Sequence, residues 1–315
     1  MTGLRRVFLH ASLGAVFLTS CSREAETFLP VAGKSPRSDA KAQALLAEAK
    51  AADRAGQAKR AMRIYDGIAD RYPHSSAAPQ ARFRHAQLLE QDGALEKAFE
   101  AYGQVITRYQ GSSLYPQARD SQAKVAHAAA DGQITKRLLW MKPGLDPDKI
   151  ISMLETVRDN APQAVTAAKA QYTIGGVYAA RKSKVNESIE AYQKVVDDHP
   201  RSSFAPLAQF KIGNILLTGA SRGNQDNSNL DRAMQTFEDL RQSYPGTKQA
   251  SEATLKMKEI RSREIQRSLD IGEFYFGKGQ GDSAAVYYRE VMRRTTSGKL
   301  HEKAKERLRT LGALE

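Results

Sequence analysis

The chain has 315 residues, of which 41% are hydrophobic and 26% charged, so it can bury a core and wholesale disorder is not expected. Alanine is abundant, runs of β-branched residues are short and the prolines are widely spaced, which favours helices over sheets. The net charge is +13, but basic residues lie beside acidic ones, and no long basic run contains interleaved aromatics. This distribution argues against nucleic-acid binding.

Residues 1–20 have the organisation of an export signal that is removed on maturation. Arg5 and Arg6 form a charged start, and an apolar stretch follows from Val7 to Thr19. That stretch is too short to cross a bilayer, which takes about 20 residues. The sequence therefore predicts an exported protein whose first segment is absent from the mature chain.

The apolar stretch ends in Leu18-Thr19-Ser20-Cys21, which resembles the bacterial lipobox. Cys21 is the only cysteine, so no internal disulfide can form and the thiol is left for lipidation. The resemblance implies a diacylglyceryl thioether on Cys21 and a third acyl chain on its amine, which together anchor stably. Ser22 resembles the residue that directs such proteins to the outer membrane. Residues 21–37 mix charge, proline and glycine without periodicity, and they are predicted to be a lipidated flexible tether.

A six-fold internal repeat covers the rest of the chain, 38–315. A small residue is followed by an aromatic residue four positions on, a proline eight further and an alanine eight after that. The third copy departs at Ile150 and Leu154, and the second and sixth have Gln110 and Thr296 in place of proline. The six copies are Ala61, Tyr65, Pro73, Ala81; Ala98, Tyr102, Gln110, Ala118; Ile150, Leu154, Pro162, Ala170; Ser188, Tyr192, Pro200, Ala208; Ala233, Phe237, Pro245, Ala253; and Ala284, Tyr288, Thr296, Ala304. Spacing of this kind is typical of tetratricopeptide repeats.

Each element of the repeat has a physical reason. Residues at i and i+4 share one helix face, so the ring packs where its small neighbour leaves room. Proline ends the helix, and serines of the linker, as at Ser75, are expected to cap the next one. Gly56, Gly93 and Gly279 each precede an aromatic by nine residues and mark the turn between two helices.

These features predict an all-α protein, a right-handed solenoid of about five to six tetratricopeptide-like helical hairpins. A hairpin cannot bury its apolar face alone, so neighbours stack. The rings of Tyr65, Tyr102, Tyr192, Phe237 and Tyr288 are predicted to be core, and Phe83, Tyr172 and Phe210 are assigned to the core in preference to a peptide-binding face. Spacings above the usual period are attributed to insertions at Gln133–Pro147, which contains Trp140, and at Gly219–Ser228.

No pattern for catalysis or for a cofactor is present. No two of the six histidines stand at i, i+3 or i+4, and none has a cysteine beside it, so a metal site is not supported. Walker and G-x-S-x-G motifs are absent, and the single cysteine is accounted for by the lipobox. The sequence therefore favours a binding or scaffold protein over an enzyme.

A more specific resemblance lies in Ile260–Arg294, which contains Phe274-Tyr275-Phe276-Gly277-Lys278-Gly279 and then Ser283-Ala284. This segment is similar to the penultimate helices of the BamD family, the lipidated tetratricopeptide subunit of the outer-membrane β-barrel assembly machinery. That family has a long polar helix ending in an aromatic motif and then a hairpin with paired small residues. It commonly has an arginine just before the hairpin aromatic, where this chain has Tyr287, with Arg289 two residues away.

The resemblance implies a lipid-anchored scaffold on the periplasmic face of the outer membrane. Its implied partners are the periplasmic domains of the barrel insertase, other assembly lipoproteins and nascent outer-membrane proteins. Consecutive aromatics on a helix point about 100° apart, so at least one of the three should be exposed or cover a neighbour. The candidate partner-binding residues are Phe274, Tyr275, Phe276, Tyr287, Arg289 and Trp140.

Two other functions stay open from the sequence. The same hairpins suit an envelope scaffold that serves peptidoglycan or a Tol–Pal-like system. The basic surface would also suit capture of an anionic envelope polymer, which salt should weaken steeply, whereas docking between apolar helix faces should barely respond to salt.

Overall fold

A computed structural model describes residues 36–132, 144–222 and 227–314. Within these ranges the ordered elements are α-helices, with one additional turn of 3-10 helix at Lys182–Lys184 and no strand. The helices are α1 (Pro36–Arg54), α2 (Ala58–Arg71), α3 (Ala78–Gln91), α4 (Leu95–Arg108), α5 (Tyr115–Ala130), α6 (Pro147–Asn160), α7 (Val165–Ala179), α8 (Val185–Asp198), α9 (Phe204–Arg222), α10 (Asn227–Ser243), α11 (Lys248–Gly277), α12 (Gly281–Arg294) and α13 (Lys299–Thr310).

Successive helices pack against each other from α1 to α13, as in a stack of antiparallel hairpins. The pairs run from α1 and α2 to α11 and α12, and α13 covers the last pair. This arrangement confirms the predicted all-α hairpin repeat. Helix α1 begins at Pro36, so it includes the last two residues of the predicted tether. The predicted signal peptide, Cys21 and most of the tether lie outside the described residues, as do Trp140 and most of its insertion.

The repeat positions form the core as predicted. The alanines that close each copy have no exposed surface: Ala81, Ala118, Ala170, Ala208, Ala253 and Ala304. The large residues of the hairpins are buried as well: Tyr65, Tyr102, Leu154, Tyr192, Phe237 and Tyr288. Phe83 is buried, and Tyr172 and Phe210 are half-buried against the same clusters. The preference for core positions over a peptide-binding face is therefore confirmed for Phe83, whereas Tyr172 and Phe210 keep some exposed surface.

Glycine lets three of the hairpin aromatics approach the preceding helix closely. Gly213 faces the ring of Phe237, and a Cβ atom there would stand 2.7 Å from Cζ and 2.8 Å from Cδ1. Gly175 stands in the same relation to Tyr192, and Gly272 to Tyr288. Real Cβ atoms do not approach other atoms this closely, so each glycine acts as a socket for one ring.

The structure confirms the predicted turn glycines but not the predicted serine cap. Gly56, Gly93 and Gly279 have φ values of 72°, 73° and 72°, in the left-handed region that glycine adopts without strain. The expectation that Ser75 caps the next helix is wrong, because its hydroxyl donates to the carbonyl of Tyr72 at 2.8 Å and the N-cap residue of α3 is Ala77. Proline at the first turn of α3 removes one of the amide donors that a cap would satisfy.

Helix α11 is about twice the length of most others because it joins two hairpins without a turn. It has 30 residues, and neither a proline nor a left-handed glycine interrupts it. Its first half packs with α10, and its second half packs with α12. The excess spacing between Phe237 and Tyr288 is thus taken up by continuous helix and not by a loop.

Candidate functional site

An aromatic surface lies where α11 ends and α12 begins, at the C-terminal end of the stack. Phe274 is 60% exposed, and its ring makes an edge contact with Tyr275 at 5.6 Å between centroids. Tyr275 stacks on Tyr287 of α12 at 5.7 Å and an interplanar angle of 12°. Phe274, Tyr275 and Tyr287 are called the aromatic edge below. The ammonium of Lys278 lies 5.8 Å from the Phe274 ring, which leaves the ring open to a partner on its other side.

Phe276 points away from the aromatic edge and is covered by α13. The guanidinium carbon of Arg307 lies 4.5 Å from its ring centroid, a cation–π contact. The expectation that one helix face cannot bury all three consecutive aromatics is therefore confirmed. The final helix α13 covers Phe276 but leaves Phe274 exposed.

A charge network centred on Glu273, next to the aromatic edge in sequence, connects α11, α12 and α13. Arg307 donates to Glu273 through Nε at 2.8 Å and through a terminal nitrogen at 3.0 Å. The hydroxyl of Tyr288 donates to the same carboxylate at 2.7 Å, and Lys303 pairs with it at 3.2 Å. The carboxylate therefore links the last three helices, one residue before Phe274 of the aromatic edge.

These donors lower the pKa of Glu273 to about 2. The largest cause is the hydrogen bond from Arg307; partial burial acts in the opposite direction, and Tyr288 and Lys303 add to the lowering. The pKa of Tyr288 is raised, mainly by burial and then by its bond to Glu273. At neutral pH the site thus contains a charged Glu273 and a protonated Tyr288.

The Glu273 network predicts a pH-dependent contribution to stability. A carboxyl group whose pKa is lowered in the folded state adds stability above its unfolded pKa of 4.5, and this is lost as the pH falls towards about 2. Glu273→Gln should therefore be less stable than the parent protein at pH 7. The difference should shrink steadily between pH 4.5 and 2, as measured by urea unfolding. A difference that does not change with pH would contradict the assignment.

Among the predicted partner-binding residues, the structure describes Arg289 but not Trp140. The guanidinium of Arg289 donates to the carbonyl of Ala313 at 3.2 Å, and the side chain is otherwise exposed. It ties the end of the chain to α12 and keeps donors for a partner. Trp140 lies outside the described residues, as does Cys21, so both stay predictions.

A second concave surface, near the other end of the stack, was not predicted from the sequence. A cavity of about 400 Å³ lies between α1, α2 and α3 and is lined by Lys50, Arg54, Tyr65, Phe83 and other residues. Its wall contains an ion pair in which Arg84 donates to Asp53 at 2.6 Å and lowers the pKa of that carboxyl. Lys50 and Arg54 stand four residues apart in the sequence, but Arg84 joins them only through the fold.

Two absences can be stated for the described part of the chain. Across 36–132, 144–222 and 227–314, no group of three or more His, Cys, Asp and Glu side chains is placed to hold a metal ion. Over the same residues, no helix has both the length and the apolar character needed to cross a bilayer.

Stacked helical hairpins with an exposed aromatic edge at one end define a tetratricopeptide scaffold. A tetratricopeptide repeat model matches residues 43–75 and 80–112, in the first two hairpins. The outer membrane lipoprotein family named YfiO matches residues 148–309, just over half of the chain, and the chain belongs to this family. This is the BamD family that the Ile260–Arg294 segment resembles, and the match includes the whole aromatic edge.

Solved structures similar to the chain include tetratricopeptide repeat proteins, while no curated protein matches it. A tetratricopeptide repeat protein from Parabacteroides merdae is 12% identical, with 86% of this chain and 98% of that chain covered and a TM-score of 0.34. MamA from Desulfovibrio magneticus is 17% identical, with 65% and 98% covered and a TM-score of 0.31. A thermophilic tetratricopeptide protein from Thermus thermophilus is 14% identical, with 70% and 98% covered and a TM-score of 0.32.

Proposed function

We propose that this protein is a non-catalytic lipoprotein scaffold of the outer-membrane β-barrel assembly machinery. In this role it is anchored through Cys21 at the periplasmic face of the outer membrane. It docks the periplasmic domains of the barrel insertase and associates with other assembly lipoproteins and nascent outer-membrane proteins. The observation that supports this most is the family match over residues 148–309, which includes the aromatic edge.

The physical properties of the aromatic edge support a docking role. Phe274 offers a large apolar surface to solvent, and aromatic side chains on a rigid support are frequent anchors of protein interfaces. The stack of Tyr275 on Tyr287 restrains these two rings, so little of their side-chain freedom is lost on binding. Since Tyr287 replaces the arginine common in the family, the contact proposed here is aromatic and apolar, with Arg289 as the nearby cation.

Affinity purification from native membranes tests this function. The parent protein should recover the barrel insertase of its own membrane. Phe274→Ala should reduce that recovery about tenfold or more, because loss of a central aromatic anchor costs roughly 2 kcal/mol. A matched control is Val165→Ala, since Val165 is 70% exposed on α7, away from the edge. Thermal unfolding of both variants should stay close to that of the parent.

Two outcomes would contradict the proposal. Failure of the parent protein to recover any insertase would remove the proposed function. Equal recovery by Phe274→Ala, Val165→Ala and the parent would keep the association with the insertase but exclude the aromatic edge as its docking site.

Removal of the predicted anchor gives a separate expectation. Cys21→Ala should yield a folded protein in the soluble periplasmic fraction or an unprocessed precursor, because the only site of lipid attachment is lost and no disulfide is disturbed. Fractionation followed by mass determination of the N-terminus measures this. A fully processed variant that stays in the outer-membrane fraction and resists salt extraction would show that another element anchors the chain.

A further inference from the structure

The middle of α11 is less buried than the segments on either side of it. One hydrophobic cluster of the core ends at Ile260, and the C-terminal cluster begins at Leu269. Between them no residue from Arg261 to Ser268 is buried. Two turns of helix therefore lie between two cores, with Ile265 half-buried against the second core and Arg261 and Ser262 exposed.

The repeat register shows that a neighbour is missing on this face. In three earlier copies of the repeat, the residue two positions after the last alanine contacts the aromatic ring of the next hairpin. Their centroid distances are 5.6 Å for Phe83 with Tyr102, 5.3 Å for Tyr172 with Tyr192 and 5.8 Å for Phe210 with Phe237. Leu255 occupies that register in α11 and is 64% exposed. The next ring, Tyr288, packs further along the helix against Gly272, so no ring of the following hairpin reaches Leu255.

A crevice of about 310 Å³ continues this face towards α13. Lys258, Arg261 and Ser262 of α11 form one wall, and Lys299 at the start of α13 stands on the other. Ile265 and Leu300 supply the aliphatic lining between them. Leu255, Lys258, Ser262 and Ile265 follow at steps of three and four residues, so they form a single stripe on α11.

The three cations of this crevice form no ion pair within the described chain. The acids of the surrounding helix are already used: Glu252 pairs with Lys248, Glu259 with Lys256 and Arg263, and Glu264 with Arg294. Over the described ranges Lys258, Arg261 and Lys299 form no ion pair, although Arg261 is near enough to help lower the pKa of Glu238. The crevice thus combines two aliphatic side chains with three cations.

We infer that the stripe from Leu255 to Ile265, with its crevice, binds an acidic amphipathic helix of a protein partner, in the position that a further helix of the solenoid would occupy. The stripe is about 15 Å long, which suits about three turns of helix. Apolar side chains of the ligand would contact Leu255 and Ile265, and its carboxylates would meet the three cations. An anionic lipid headgroup would use the cations but leaves the exposed Leu255 without a role.

Fluorescence anisotropy on the mature full-length protein in detergent tests this inference. The probe is a labelled helical peptide of about 14 residues with leucine at i, i+3 and i+7 and glutamate on the flanks. One comparison peptide has the same composition in scrambled order, and another has lysine for glutamate. The variant is Lys258→Glu with Arg261→Glu, both exposed, and the matched control is Lys194→Glu with Lys211→Glu, two exposed lysines on α8 and α9.

The acidic amphipathic peptide should bind more tightly than both comparison peptides. The Lys258→Glu, Arg261→Glu variant should weaken it about tenfold or more, because like charges then face each other, and the control pair should leave it unchanged. Leu255→Ser should weaken it several-fold, which a purely electrostatic site would not show. Equal binding of the scrambled peptide, or equal loss in the control pair, would overturn the inference. So would Lys258- and Arg261-dependent binding of phosphatidylglycerol vesicles with no effect on the peptide, since that result would assign the surface to lipid.

Discussion

Replacing Phe237 by alanine is expected to lower the free energy of unfolding by about 3–5 kcal/mol, the usual range for removing a fully buried phenylalanine. The ring has no exposed surface, lies 5.8 Å from the ring of Phe210 and fits against Gly213. Its removal would leave a cavity between α9, α10 and α11 that the surrounding helices can fill only in part. Urea unfolding followed by circular dichroism measures the change.

A second phenylalanine-to-alanine variant tests whether the burial of the ring, and not the loss of a phenylalanine as such, causes the destabilisation. Phe274→Ala removes the same side chain from a position that is 60% exposed, so its effect on unfolding should be below about 1 kcal/mol. If the two variants were equally destabilised, the assignment of Phe237 to the core and of Phe274 to the surface would be wrong.

Gly213→Ala is expected to be destabilising, although alanine is the better helix former by about 1 kcal/mol. The added Cβ would stand 2.7 Å from Cζ of Phe237, so the ring or the helix must move. Overpacking of this kind costs about 1–3 kcal/mol, which outweighs the gain in helix propensity. Thermal unfolding at neutral pH measures the sign directly.

Gly67→Ala is the control for this prediction because Gly67 also lies inside a helix, α2. Apart from the backbone of its own helix, no atom lies within 4 Å of the Cβ that alanine would add, so the variant should be more stable than the parent by about 0.5–1 kcal/mol. Opposite signs for two identical substitutions would show that the ring socket, and not helix propensity, decides the outcome at Gly213. Stabilisation by both would contradict the close approach of α9 and α10.

The repeat could be predicted from the sequence because its constraints recur at fixed offsets. A small residue and a ring four positions apart, with an alanine sixteen after the ring, leave few helical arrangements that bury all of them. Ala233, Phe237 and Ala253 are one such set, and all three have no exposed surface. The glycine sockets were missed because the partner ring is on another helix, at separations that differ from copy to copy. The sequence feature that could have predicted these close contacts was an isolated glycine inside a helical pattern.

The continuous helix α11 and the network around Glu273 were not predicted from the repeat pattern. The 30 residues of α11 contain no proline, and this absence of a breaker could have predicted continuous helix where the long spacing was attributed to an insertion. The resemblance at Ile260–Arg294 did imply a long polar helix. No spacing rule predicts that Glu273 meets Arg307, because the two residues are 34 positions apart and come together only when α13 folds back.

Site-specific photo-crosslinking in native membranes tests the docking claim most directly. A photoreactive phenylalanine analogue is introduced at position 274 in one strain and at position 165, also an exposed apolar position, in another. The proposed function predicts a crosslinked product between position 274 and a periplasmic domain of the barrel insertase, identified by mass spectrometry, and none from position 165. Insertase products from position 165 alone, or no insertase product from either position, would contradict the claim that the C-terminal aromatic edge docks the insertase.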